Sequence, residues 1–246
     1  NKHHSHTIAT WNSNKRPTKY FEKTCNQMAT ELGKHTIILI QEAQNWNTIH
    51  MHRAQHHTSY TNNGTECGIL VPNDIEQRIT KYAHGPDWLA IHIDGYAIIS
   101  AHANDIHSAA DDNRYDKMRQ EIDTHNTEHP TLKTITGIDA NTTLPTKHPT
   151  IGTHTKYIND QHSCRSKYRI EQLARNNSLY APQTYNQDED AQLWTRRGAG
   201  KKNTYNYTCP LYPSDAADDL LCVNLCARRI LRNQHMCTRP EQRPPL

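Results

Sequence analysis

One phenylalanine stands against twelve tyrosines in this chain of 246 residues. Hydrophobic residues make up 34% of it, below the roughly 45–50% usual for a globular domain, and the mean hydropathy is −0.95. No stretch approaches the roughly 18 consecutive apolar residues of a membrane-spanning helix, which excludes that class. A charged segment followed by an apolar one is missing from the N-terminus, so no secretory signal is read. There is no internal repeat and no Gly/Ser-rich linker. The expectation is a single domain over residues 1–246, with 1–6 and 238–246 as flexible ends. Seven cysteines are an odd number for a disulfide framework and fit a reducing compartment better. Intracellular, nuclear placement is therefore favoured over secretion. The chain opens on Asn1 rather than Met, as a domain cut from a polyprotein or a mature product does. It is expected to be monomeric.

What is abundant is Asn, Thr, His, Lys, Gln and Pro. All six are encoded by codons with A or C in the first two positions, so a base-composition bias accounts for the 18 histidines without any metal. Formal net charge is +3. That balance permits a nucleic-acid partner without requiring one.

The apolar residues are concentrated in short runs. Thr7 to Trp11 reads as a strand. Lys19 to Leu32 carries helical spacing at Tyr20, Cys25, Met28 and Leu32, with Gly33 as a stop signal. "TIILIQEA", Thr36 to Ala43, and "CGILVP", Cys67 to Pro72, suit strands buried on both faces. "WLAIHID" and "YAIISAHA" flank Gly95 as a hairpin does. Asp111 to His125 reads as a polar helix with an acidic start. "TLKTITGIDANTTL", from Thr131, reads as a strand that ends in Gly, an acid and an amide. Lys167 to Asn176 looks helical, and Ser178 to Tyr185 and Ala217 to Leu225 look like strands. Helices and strands interleave, which favours one mixed α/β domain.

Polar groups stand at the ends of these runs. They are Asn12 and Asn14 in "ATWNSN", Glu42 in "LIQE", His102 and Asp105 in "SAHAND", Asp139 and Asn141 in "GIDAN", Asp218 at the opening of the late strand, and His235 downstream. Asp139 and Asn141 are two apart, so on a strand they share a face, although Asp, Asn and Gly also make plain turns. Glu42 at the end of a buried strand is harder to explain structurally, because a buried unpaired carboxylate is costly. Strand ends are where α/β folds gather catalytic groups. Carboxylate and amide oxygens suit Mg²⁺ or Mn²⁺ rather than zinc. With histidine they suit phosphodiester hydrolysis.

The order "ATWNSN", "IILIQEA", "ISAHAND", "TGIDAN" resembles the endonuclease/exonuclease/phosphatase superfamily, which includes DNase I-like nucleases, apurinic-site endonucleases and the endonuclease domains of non-LTR retrotransposons. "YRIEQLARNNSLYAPQTY" resembles the segment that follows. No single motif is specific; four in order, each ending a strand-like run, carry the resemblance. It implies a four-layer α/β sandwich with two mixed β-sheets packed between helices. It also implies a Mg²⁺- or Mn²⁺-dependent phosphodiesterase, foremost an endonuclease nicking DNA.

By the same resemblance Glu42 holds the metal, supported by Asn12. Asp139 prepares the attacking water, and Asn141 holds the phosphoryl oxygen. His102 and His235 stabilise the phosphate, and Asp218 orients His235. Asn14, Asp105, Arg196, Arg197 and Lys201 are candidate substrate contacts, the last three in the basic loop "TRRGAGKK". Three departures stand out. Ala140 replaces the family's Phe, "AADD" replaces "IDY", and no "SDH" closes the chain. "SDA" at Ser214, "NQH" at Asn233 and "PEQ" at Pro240 are its candidate counterparts, and spacing favours His235. Two other readings follow from this. One is a pseudo-nuclease that binds nucleic acid without cutting, and the other is a phosphoinositide or sphingomyelin phosphodiesterase on the same core. Cys222, Cys226, His235 and Cys237 form a passable zinc inventory. The clusters "KHHSH" and "HMHRAQHH" offer further metal-binding histidines. A small apolar role for Cys and base composition explain them more cheaply.

Overall fold

The computed structural model describes residues 7–13, 21–43, 51–61, 66–103, 108–140 and 165–180, and the backbone of 196–197, 204–206, 208–213 and 222–225. The first sheet is built on β1 (Thr7–Asn12) and β2 (Thr36–Gln41), which run parallel from Thr7↔Thr36 to Asn12↔Gln41. The crossover between them is helix α1 (Phe21–Leu32). Three antiparallel strands extend this sheet on the β2 side: β5 (Cys67–Pro72), β4 (His57–Thr61) and β3 (Met51–Arg53). On the other side β14 (Cys222–Leu225) lies parallel to β1.

The second sheet holds β6 (Ile79–His84), β7 (Trp88–Ile93), β8 (Tyr96–His102) and β9 (Lys133–Asp139), with β13 (Thr208–Pro213) and β10 (Leu179–Tyr180) beyond β9. β7 and β8 form the expected hairpin. Asp94 and Gly95 both take positive φ, 52° and 84°, as a two-residue turn of the primed kind demands. β8 and β9 are parallel, joined by helix α2 (Ala109–Glu128). Helix α3 (Arg165–Asn176) packs beside α2.

Among the described residues the buried Ile and Leu side chains sit mainly in strands, and α1, α2 and α3 add Cys25, Met28, Tyr115, Met118, Ile122, Ile170 and Leu173. In β1 and β2 the odd and even positions serve different layers. Ile8, Ile37 and Leu39 face the second sheet, against Leu89, Ile91, Ile98 and Ile135. Ala9, Trp11, Ile38 and Ile40 face α1 through Cys25 and Met28. On the far side of the second sheet Trp88, Ile99 and Ile138 meet Tyr115, Met118 and Ile122 of α2 and Leu173 of α3. The order is thus helix, sheet, sheet, helices, the four-layer α/β sandwich expected. Each fully buried Ile or Leu contributes about 1.5–3 kcal/mol, so a dozen well-placed aliphatic residues offset the poor average.

The two sheets approach each other tightly at Gly137. A Cβ there would stand 2.6 Å from Leu39 Cδ1 and 3.1 Å from Thr10 Oγ1. That explains the glycine in "TITGID": the strand needs no bend there, but its neighbour needs the space. Beside it Gln41 is wholly buried and links the sheets. Its Nε2 donates to Ser100 Oγ at 3.2 Å and to the Gly137 carbonyl at 3.3 Å, and its Oε1 accepts from Thr10 Oγ1 at 3.1 Å.

Several element bounds differ from the sequence reading. The strand expected to reach Ala43 ends at Gln41, because Glu42 turns into the left-handed region at φ 54°. The helix expected over 111–125 runs from Ala109 to Glu128. Ser108 caps it: its backbone N–H donates to Asp111 Oδ2 at 2.9 Å and its Oγ accepts from the Asp111 backbone N–H at 3.2 Å, a reciprocal capping box. β3, β4 and β6 lacked a sufficiently apolar pattern to be read; β6 is an edge strand of mixed exposure. Arg196 and Arg197 belong to a short strand, β11, paired with β12 (Thr204–Asn206), rather than to a loop. Residues 181–185 and 217–221 of the two late expected strands lie outside the described residues.

Candidate active site

Parallel pairing brings the C-terminal ends of β1 and β2 together, and likewise those of β8 and β9, where His102 stands opposite Asp139 in register. Face-to-face packing then sets one pair of ends against the other. Asn12 continues the inward-facing series Ile8, Thr10 of β1, and Asp139 continues Ile135, Gly137 of β9. The result spans the sheets. Asn12 Nδ2 donates to Glu42 Oε1 at 2.8 Å and also contacts Asp139 Oδ2. One ligand atom each of Glu42, His102 and Asp139 lies within 4.8 Å of the others.

Glu42 reaches this position through a backbone conformation that a non-glycine residue adopts at a cost of about 1–3 kcal/mol. Three contacts hold it there. Ser13 Oγ donates to the Glu42 carbonyl at 2.7 Å, the Ser13 N–H to the Gln41 carbonyl at 2.9 Å, and the Ala43 N–H to the Glu66 carbonyl at 2.8 Å. Strain concentrated at a convergence of acids is the pattern of a site built for chemistry.

His102 is buried and ion-paired through Nδ1 to Glu66 Oε2. Burial alone pushes the imidazolium toward losing its proton. The pairing with Glu66 and the charges of Asp139, Glu66 and Glu42 outweigh burial, and the pKa is raised above its ordinary 6.5. The backbone around His102 is also fixed: its N–H donates to the Asp87 carbonyl at 2.9 Å, and the Ala103 N–H to the Asp139 carbonyl at 2.8 Å. Asp87 is itself buried and gripped by Arg114, whose Nε donates to Oδ2 at 2.8 Å and whose Nη2 contacts Oδ1.

Three carboxylates, Glu42, Glu66 and Asp139, therefore surround one imidazolium. Such an excess of buried negative charge suits a bound cation, and hard carboxylate and amide oxygens suit Mg²⁺ or Mn²⁺. Glu42 and Asp139, bridged by Asn12, are the residues that would hold it.

Of the residues singled out from the sequence, the structure brings Asn12, Glu42, His102 and Asp139 together. Asn14, Asp105, Asn141, Lys201, Asp218 and His235 lie outside the described residues. Arg196 and Arg197 are placed by backbone alone, in β11. Glu66 was not read from the sequence. It precedes the apolar run "CGILVP", and β5 is antiparallel to β2. A strand's beginning thus arrives where only strand ends were searched.

No protein-family model and no curated protein sequence matches the chain. Solved structures do. An AP endonuclease from Archaeoglobus fulgidus superposes with a TM-score of 0.53 at 12% identity, over 83% of this chain and 85% of that one. A 3'-5' exonuclease from Neisseria meningitidis gives 0.53 at 14%, over 85% and 88%. An AP endonuclease from Leishmania major gives 0.57 at 10%, over 83% and 78%. At such identities the likeness shows the fold alone: the chain has a two-sheet α/β sandwich like that of these structures.

Proposed function

We propose that the protein is a divalent-metal-dependent phosphodiesterase that nicks the DNA backbone by attack of water on a phosphate. The observation that carries the reading is the convergence of Glu42, Asp139 and His102 within 4.8 Å, with Asn12 bridging the two acids, on a DNase I-like sandwich. The names of the neighbouring structures, AP endonucleases and a 3'-5' exonuclease, support a nuclease over a lipid phosphodiesterase. Among the described residues no helix is long and apolar enough to cross a membrane.

In this reading Glu42 and Asp139 hold Mg²⁺ or Mn²⁺, which when bound neutralises charge on the phosphoryl oxygens. Asp139 orients the attacking water and accepts its proton. Asn12 keeps the two carboxylates in fixed relation, so that neither turns away when the other engages substrate. His102 is held protonated by Glu66 and faces the developing negative charge with its second ring nitrogen. Arg196, Arg197 and Lys201 are assigned to the backbone of the nucleic acid, where a Lys or Arg contributes to affinity that salt weakens. Asn141, Asp218 and His235 complete the set by their motif positions.

The test is a substrate panel under Mg²⁺, Mn²⁺ and EDTA: supercoiled plasmid, an abasic-site duplex, a 3'-phosphate duplex and phosphoinositide vesicles. Metal-dependent cleavage of the plasmid or of the abasic-site duplex supports the reading, and release of phosphate from the 3'-phosphate duplex alone replaces it with a DNA phosphatase. Plasmid binding without cleavage of any substrate replaces it with a pseudo-nuclease. Cleavage confined to the vesicles replaces it with a lipid phosphodiesterase.

A further inference from the structure

On the opposite face of the second sheet, three histidines meet in a second cluster. His92 lies on β7, paired with Ala97 of β8. That is five residues along β8 from His102, or about 17 Å at roughly 3.4 Å per residue. Trp88, Ala90 and His92 share the face that α2 covers. His125, in the last turn of α2, and His129, its C-cap residue, face it. One ring nitrogen each of His92, His125 and His129 lies within 4.8 Å of the others. His92 and His125 are 4% and 5% exposed.

We propose that His92, His125 and His129 form a zinc site, with the fourth position open to water. The ligand chemistry is distinct from that of the catalytic cluster. Three imidazoles without a carboxylate suit Zn²⁺ rather than Mg²⁺.

The hydrogen bonds already sort the tautomers. His129 Nδ1 lies 2.7 Å from the His125 carbonyl, which can only accept, so Nδ1 carries the hydrogen and Nε2 is bare. His125 Nδ1 lies 3.2 Å from Asn126 Oδ1. That oxygen accepts from Thr134 Oγ1 at 3.2 Å as well, while Asn126 Nδ2 donates to Asn177 Oδ1 at 2.6 Å. His125 therefore also presents a bare Nε2. Metal-bound histidines are oriented in this way, with the remote ring N–H given to a carbonyl oxygen. His92 Nε2 and His125 Nε2 are 2.9 Å apart. Two nitrogens bound tetrahedrally at about 2.0–2.1 Å from zinc sit about 3.4 Å apart, so a small ring rotation admits the ion.

Two groups compete with it. His92 Nε2 now carries the hydrogen shared with His125, and on binding zinc this proton moves to Nδ1 of the same ring. Lys81 Nζ lies 2.8 Å from His129 Nε2. Lys81 is exposed on the edge strand β6 and swings into solvent. Burial keeps His92 and His125 neutral, as ligands must be. The His92 pKa is lowered to about 4 by burial and then by His125, His129 and Lys81, and that of His125 is lowered chiefly by burial. Zinc here would tie the end of α2 to β7 and leave the catalytic face untouched.

The experiment uses the full chain carrying Asp139→Asn, which weakens the catalytic cluster as a competitor. Zn²⁺ is titrated calorimetrically, and Co²⁺ is titrated in parallel to read its visible absorption. The expected result is one site with the spectrum of a four-coordinate nitrogen–oxygen set and a melting temperature raised by Zn²⁺. His129→Ala, at a half-buried position outside the core clusters, should weaken Zn²⁺ more than about 100-fold, since loss of a partner behind a ligand already costs about 10–100-fold. Lys81→Ala should tighten it by removing the competing ammonium. Zinc affinity unchanged in His129→Ala overturns the proposal, and so does a folded Asp139→Asn chain that neither binds Zn²⁺ nor melts higher in its presence.

Discussion

Asn12 and Glu42 stand at the ends of adjacent parallel strands, with Asn12 Nδ2 donating to Glu42 Oε1 at 2.8 Å. The same nitrogen contacts Asp139 of the other sheet, so one amide sets the spacing of two acids that the chain separates widely. Asn12→Ala should leave the fold intact, because Asn12 is only partly buried and outside the core clusters. It should lower cleavage by about 10–100-fold, the usual consequence of losing a group that orients metal ligands. Single-turnover cleavage rates at saturating metal check this; an unchanged rate removes Asn12 from the site.

Glu66 is assigned to positioning, through its ion pair with His102 Nδ1. Glu66→Gln keeps the shape and removes the charge that most directly keeps the imidazolium protonated. The expected loss is about 100-fold in kcat with KM little changed, the low end of the roughly 10²–10⁴-fold range for acid–base groups. A KM effect alone, or rates equal to those of the native chain, contradicts the assignment.

Gly137→Ala tests whether sheet spacing supports the site. The new methyl would fall 2.6 Å from Leu39 Cδ1 and 3.1 Å from Leu39 Cβ. Leu39 is wholly buried, so it yields only by repacking. A loss of about 1–3 kcal/mol in urea denaturation is expected, together with reduced activity, because Asp139 is two residues away on the same face. Wild-type stability would show that the sheets separate freely at this point.

His57 gives the metal-free protein a pH dependence. The ring is completely buried, and its Nε2 donates to the Thr36 carbonyl at 2.8 Å. Its pKa is lowered, first by burial, with His56 and His35 acting the same way and Asp74 and the Thr36 carbonyl opposing them. A depressed histidine pKa means that the unfolded chain takes up the proton first. Stability from this source is complete above about pH 6.5 and is lost as pH falls below it. Denaturation in EDTA at neutral and mildly acidic pH should show this decline, and His57→Gln should make it shallower, the remainder coming from His92 and His125, whose pKa values are also lowered. An identical slope in the variant rules His57 out as its source.

The legible part of the fold was the part governed by local pattern. "TIILIQ", "CGILVP" and the Gly95 hairpin were readable because buried strands need continuous apolar residues and a two-residue turn needs positive φ. β6, "ITKYAH", was not, because an edge strand buries too little to leave a pattern. At the site, Glu42 and Asp139 were readable from the odd placement of acids after apolar runs. Glu66 was not, because its role depends on which strand is antiparallel to which. The pairing of His92 with His125 and His129 joins a strand to a helix end 33 residues away, and in a chain with 18 histidines no spacing marks it.

The most direct measurement is single-turnover nicking of supercoiled plasmid at saturating Mg²⁺, native chain against Asp139→Asn, with plasmid binding followed in parallel. The expected result is metal-dependent nicking by the native chain and a loss of about 10²–10⁴-fold in the variant, with binding retained. Equal rates in the two proteins, or nicking that persists in EDTA, would contradict the assignment of Asp139 and of the metal to this site.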